Sequence, residues 1–391
     1  MSTETTLAQF DHFIPVATRD LIERLRQDSD NGLDTDKLAV IHKLEQILSF
    51  QFYRKLVEIK RYYQPFNPDS DLLLPADRES NVETCIDNLR ELLTAANYTE
   101  LNEQQIQYAL QKTSPYGLEV KLDFNDFEHV ALFYRGKSKS RFEVRDWKRL
   151  YLKKKSLSLV RYQRIFLVLQ FKPGHDKPGL HLKLFKDILR PDLEMLFPDC
   201  KLRMKMFDKI KLMITGGGGT AGGLFATIGK ITAAVNPWTI FIAVAGFAAL
   251  IWRQVSKVFV QKTRYMATLA QNLYFHNLDN NAGAITYLID MARQEEIKET
   301  ILAYALLTRH PGLSQAQLDS ACEDWFQHQF DRAIDFDISD AVAKLRRFEL
   351  LETDGDTLSC KPAQQVLPAL DHIWHDYIDI EARDKQSNNA S

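Results

Sequence analysis

The sequence predicts a mainly α fold carrying one small α+β domain, and three observations predict it. Hydrophobic residues recur every three or four positions through most of residues 1–117 and 253–310, as amphipathic helices require. That period shortens to two between residues 118 and 211, in short runs bounded by Gly, Pro, Lys and Ser, which reads as an antiparallel sheet. Two uncharged runs then stand back to back: 18 residues from Leu212 to Gly229 and 22 from Ile231 to Trp252, parted by Lys230. The expected order is an N-terminal helical bundle (1–117), a basic α+β domain (118–211), a two-helix transmembrane hairpin (212–252), a helical region (253–310), a winged-helix-like module (311–380) and a disordered tail (381–391).

In the N-terminal region Leu21, Ile22 and Leu25 form a first stripe. Asp34 or Thr35 is placed to cap a second helix, in which Leu38, Ile41, Leu44, Ile47, Leu48, Phe52, Leu56 and Ile59 recur until Pro65 and Pro68 end it. A third helix near Arg78 to Ala95 carries Val82, Ile86, Leu89 and Leu92 on one face. The aromatic cluster Phe50, Phe52, Tyr53, Tyr62, Tyr63 and Phe66 reads as packing.

The sheet region concentrates positive charge. Residues 111–211 hold 24 basic against 12 acidic residues, although the whole chain is formally −2. Lys153, Lys154, Lys155, Arg161, Arg164 and Lys172, with Tyr151 and Tyr162 nearby, suit anionic lipid headgroups. Nucleic acid is disfavoured as a partner, because no recognised RNA- or DNA-binding signature accompanies them. His175, Asp176 and His181 flank Gly174, Pro178 and Gly179, a hairpin tip rather than a metal site, since no third and fourth ligand is indicated.

At about 1.5 Å per residue the two uncharged runs would span roughly 27 and 33 Å as helices, close to a hydrocarbon core of about 30 Å. The first contains seven glycines, with Gly218/Gly222 and Gly219/Gly223 at the spacing that allows close helix contact. Ala245, Gly246 and Ala249 form the matching small-residue side of the second. Lysine and arginine flank the pair on both outer sides, so both large regions are expected on the cytoplasmic face of a membrane, most simply a bacterial inner membrane. Gly216 to Thr220 lacks the remaining residues of a phosphate loop.

Beyond the hairpin, Ile285 to Leu307 reads as a helix containing Leu288, Ile289, Ile297, Ile301 and Leu302. Ser314 is placed to cap a helix to about Phe330, Ile338 to Phe348 is a second helix, and Asp354-Gly355 turns a small hairpin. Helix, helix and wing suggest a winged-helix module, with Lys344, Arg346 and Arg347 on its recognition helix. Its acidic surroundings favour protein contact over DNA. Four separated cysteines form neither a disulfide framework nor a zinc pattern, which fits a reducing compartment. No cleavable signal peptide is visible at the start of the sequence.

Phe13 to Val16 (FIPV), Tyr63 to Asp69 (YQPFNPD), Asp126 to Gly136 (DFEHVALFYRG) and Phe185 to Pro198 (FKDILRPDLEMLFP), followed by Lys201, Lys205 and the glycine-rich pair, occur in that order. In this the sequence resembles a family of unknown function that includes the mitochondrial transmembrane protein 143 and related bacterial and plant proteins. The resemblance implies two membrane spans and carries over no catalytic residue and no cofactor. Within the motifs, Arg135, Arg190, Asp192 and Glu194 are expected to form a charged arrangement near the membrane. The leading functional expectation is a non-enzymatic scaffold or regulatory protein anchored in a lipid bilayer, with a protein partner or self-association. Two alternatives are an oligomeric pore built on the glycine-rich hairpin and a membrane-surface enzyme acting on a lipid or phosphorylated substrate.

Overall fold

Two helices of 29 residues, α2 (Thr35–Tyr63) and α4 (Asn281–Arg309), pack side by side and organise everything else in the first of two compact units. The structure is a computed structural model and describes residues 5–7, 13–28, 33–71, 81–102, 104, 106, 118–121, 126–145, 154–197, 201–204, 238, 245, 246, 249, 252, 256, 274–335 and 338–388. The first unit comprises residues 1–101, 127–187 and 278–391, and the second 102–126 and 188–277.

Each long helix serves two hydrophobic cores. Val40, Ile41, Leu44, Ile47 and Leu48 of α2 join Ile297, Ile301 and Leu302 of α4 in one core, together with Leu21 and Leu25 of α1 (Thr18–Gln27). One or two turns along, Phe52, Ile59 and Tyr63 join Ala284, Leu288 and Ala292 in the other, against α3 (Val82–Ala95) and one face of a sheet. Asp34 caps α2 by accepting the Lys37 amide at 2.8 Å, and that bond holds its carboxyl below the usual range.

The sheet has six strands. β1 (Thr5–Leu7), β4 (Phe127–Arg145), β5 (Lys154–Phe171), β6 (Leu180–Leu189) and β8 (Asn277–Asn280) lie in that order, and β2 (Thr99–Glu100) also pairs with β4. β4 and β5 are antiparallel from Phe127↔Phe171 to Arg145↔Lys154. The turn into β6 needs a glycine: Gly179 has φ +97°, and a Cβ there would come within 2.6 Å of the Phe66 carbonyl oxygen.

After α4 come β9 (Leu313–Ser314), α5 (Gln315–Phe330), α6 (Ile338–Arg347), β10 (Leu351–Asp354) and β11 (Thr357–Cys360), with the three strands ordered β10-β11-β9. One helix, a short strand, two helices and a terminal hairpin, in this order, make a winged-helix-like arrangement whose first helix is the second half of α4. Ser314 and Gln317 form a reciprocal capping box at the start of α5. A last helix, α7 (Ala363–Asn388), packs on α2. In the second unit β3 (Leu118–Lys121) pairs antiparallel with β7 (Lys201–Met204).

The transmembrane hairpin expected at 212–252 is corrected. Among the described residues no helix is long and apolar enough to cross a membrane. The localisation inferred from it, two spans in a bacterial inner membrane with both flanking regions cytoplasmic, falls with it. Absence of charge proved a poor measure of a span. Glycine costs about 1 kcal/mol per residue relative to alanine in a helix, and the first run holds seven. In the second run Pro237 leaves only the 15 residues from Trp238 to Trp252 before Arg253, about 22 Å of helix. Gly218, Gly219, Gly222 and Gly223 lie outside the described residues, as does the phosphate-loop candidate at 216–220. Ala245, Gly246 and Ala249 are helical and exposed, as are Trp238 and Trp252.

Candidate functional site

The middle of α4 buries charge where an ordinary core helix would bury only apolar side chains. From Glu295 to Leu307 every residue is buried, so the helix is enclosed on all sides there. Within that stretch Glu295, Glu296, Lys298 and Glu299 cannot reach water and must find partners inside the protein. They lie between Ala292 of one core and Ile301 of the other, at the seam where the two cores meet on the helix.

Glu295 is the hub. Its Oε1 accepts from Arg135 Nη2 at 2.8 Å and from Lys298 Nζ at 2.5 Å, and its Oε2 accepts from the backbone amide of Ile14 at 3.0 Å. Lys298 also donates to the Ile14 carbonyl at 2.5 Å. The spacing of three residues on a helix places Glu295 and Lys298 on one face, so together they grip both polar groups of a single extended residue. The Arg135 guanidinium lies 4.2 Å from the centre of the Phe13 ring. Toward the winged helix, Glu296 pairs with Lys344 of α6. Toward α3, Glu299 accepts from Asn97 Nδ2 at 2.9 Å, and Asn97 itself adopts the left-handed conformation at φ +59°.

Burial dominates the protonation of the group. It pushes the Glu299 carboxyl up to about 8, against the pull of the Asn97 hydrogen bond and with the carboxylates of Glu295 and Glu296 adding to the rise. Burial also raises Glu296, which Lys344 opposes, and lowers Lys298, which Glu295 opposes. At neutral pH Glu299 is therefore mostly protonated.

A second polar cluster sits at the start of α4. Asn281, at φ +49°, accepts the Leu182 amide on Oδ1 at 3.0 Å and donates from Nδ2 to Asp69 at 2.5 Å. The Tyr63 hydroxyl lies 2.7 Å from the Leu180 carbonyl oxygen and 3.2 Å from Asn281 Oδ1. This cluster joins the end of α2, the sheet and α4 without a buried ion pair.

Of the charged residues expected to act together, Arg135 enters the α4 network. Arg190 and Asp192 belong to the second unit, on a 3₁₀ turn (Arg190–Leu196) that includes Glu194, whose side chain lies outside the described residues. There burial pushes the Asp192 carboxyl up to about 6, with His276 opposing. His175 stacks on Phe171 at 4.0 Å between ring centres, and His181 meets the edge of the same ring. Among the described residues no three His, Cys, Asp or Glu side chains are placed to hold a metal ion.

Residues 127–283 match the family model described as Protein of unknown function (DUF3754). That segment carries Arg135 and Asn281 but ends before Glu295. No solved structure matches the chain.

Proposed function

We propose that this protein is a scaffold or regulatory protein that binds a protein partner through its winged-helix arrangement and performs no chemistry of its own. The observation that carries this reading is the charge of that surface. Two of the three basic residues on α6 that would contact phosphate are engaged by the chain itself: Lys344 pairs with Glu296, and Arg347 donates to Gln51 of α2 at 2.8 Å and lies over Phe348, while Arg346 stays exposed. The exposed charge of the module is predominantly acidic, with Asp324 on α5, Asp331 and Asp335 after it, and Glu352, Asp354 and Asp356 on the wing, against Arg332, Arg346 and Arg347. Burial, with Asp319, Asp335 and Asp324 beside it, raises the Glu323 carboxyl, as expected where carboxylates crowd together. Such a surface repels a phosphate backbone and attracts a basic protein segment. The four sequence motifs further support kinship with the transmembrane protein 143-like family, a kinship that would add no catalytic residue.

The test compares the full chain with an Asp324→Lys/Asp354→Lys variant. Crosslinking is expected to recover one defined protein partner with the native chain and to lose it with the variant, while duplex DNA is not retained at 50 to 200 mM salt, a range over which phosphate-driven binding would fall by orders of magnitude. Salt-dependent retention of DNA by the native chain would reverse the reading.

A further inference from the structure

The grip on Ile14 is built as peptide-binding sites are built. Ile14 precedes Pro15, which confines it to extended backbone, so neither its N–H nor its C=O belongs to a helix, and both need partners once buried. Both partners come from α4, 281 and 284 residues away in sequence. The Ile14 side chain is 0% exposed, seated in the core with Leu21, Val40 and Ile297, and the Phe13 ring lies on Arg135. None of these contacts depends on a chain connection between residue 14 and the socket. Just before this segment, β1 adds to β4 with Thr5↔Arg141 and Leu7↔Lys139 in register, which is how an extended peptide joins an open sheet edge.

Three buried charges gathered around two residues, Phe13 and Ile14, also exceed what anchoring an arm requires. An apolar contact of equal volume would serve stability as well or better, because ions taken out of water lose hydration that their pairing barely returns. What Glu295 and Lys298 add is directional recognition of a main chain, and Arg135 adds a face for an aromatic residue ahead of a branched aliphatic one.

We propose that Glu295, Lys298 and Arg135 form a peptide-binding socket for an extended aromatic–aliphatic segment, occupied in cis by Phe13 and Ile14, and that a second copy of such a segment can displace the resident one. The site is separate from the acidic winged-helix surface and does not rest on the function proposed for it. Its ligand is a peptide bearing Phe-Ile or a close analogue, and the chain's own segment is the first example.

The probe is a fluorescent peptide with the sequence of residues 10–17, FDHFIPVA. With the full-length native chain the resident segment competes, and anisotropy is expected to show weak binding. A full-length Phe13→Ala/Ile14→Ala variant strips the side-chain anchors from the resident segment, weakening its competition, and is expected to bind the peptide at least about tenfold more tightly. Adding Glu295→Gln to that variant is expected to abolish the gain. A variant that keeps the native circular dichroism yet binds no better than the native chain, or binds equally well with Gln at position 295, overturns the proposal. Hydrogen exchange on the native chain supplies a readout that needs no core substitution: excess peptide is expected to speed exchange at residues 13–17, and unchanged exchange at saturating peptide also overturns it.

Discussion

The two polar clusters on α4 solve the same problem with different chemistry. At the start of the helix Asn281 joins Asp69, Leu182 and Tyr63 through hydrogen bonds in which only Asp69 can carry charge. Some 14 residues on, Glu295 and its neighbours tie Ile14, Arg135 and Lys298 through ions. An amide keeps its hydrogen-bonding capacity at any ordinary pH, and a partner lost from it costs less than a stranded ion does. A buried ion is all or nothing: with its counterion it is tolerated, and alone it is ruinous. The amide cluster should therefore behave as a fixed joint and the ionic one as a joint that conditions can loosen.

Breaking the ionic joint should have the largest effect. Lys298→Met removes one cation, strands the Ile14 carbonyl and leaves Glu295 with Arg135 as its one charged partner, which should cost about 3 kcal/mol or more of stability in denaturant titration. Asn281→Ala strips the amide cluster while leaving no ion stranded in the core, and a smaller loss, about 1–3 kcal/mol, is expected in the same assay.

Protonation sharpens the contrast further. The Glu299 carboxyl rises from 4.5 to about 8 on folding, so its protonated form is the one the fold favours. Stability from this group is full below pH 4.5 and is lost as pH rises toward 8. Glu299→Gln keeps an acceptor for Asn97 and cannot ionise, so it should raise stability at pH 8 and flatten the dependence across that window. Native and variant curves that run parallel from pH 5 to pH 9 would remove Glu299 from the account. The smallest effect should come from Tyr63→Phe, which removes only the hydroxyl near Leu180 and Asn281, at about 1 kcal/mol with the pH profile unchanged.

Much of this arrangement could be read in the sequence, but its centre could not. The periodicity of α2 and its Asp34 cap, and the Ser314 cap of α5, rest on local rules that tertiary context left alone. FIPV, YQPFNPD and FYRG stand out as motifs, and the structure shows what their residues share: Ile14, Tyr63, Asp69 and Arg135 are all fastened to α4, and Phe13 lies on Arg135. Their common partner is hidden because the apolar period of Ile285 to Leu307, carried by Leu288, Ile289, Ile297, Ile301 and Leu302, says nothing of the charges between them. A signal was present. Leu302 to Leu307 is apolar on every side of the helix, which marks a segment buried all round, and the charges one turn upstream in Gln294 to Thr300 must then be buried as well. Pairing across 160 to 284 residues, by contrast, leaves no local trace.

That long-range pairing bears on how the protein is made. The end of α2 meets the start of α4 218 residues later in the chain. At typical synthesis rates of 5–20 residues per second, α2 would wait about 10 to 45 s for its partner helix to leave the ribosome. Throughout that interval one side of α2 is an uncovered greasy stripe, and the nascent chain should depend on a chaperone to keep it from sticking to its neighbours.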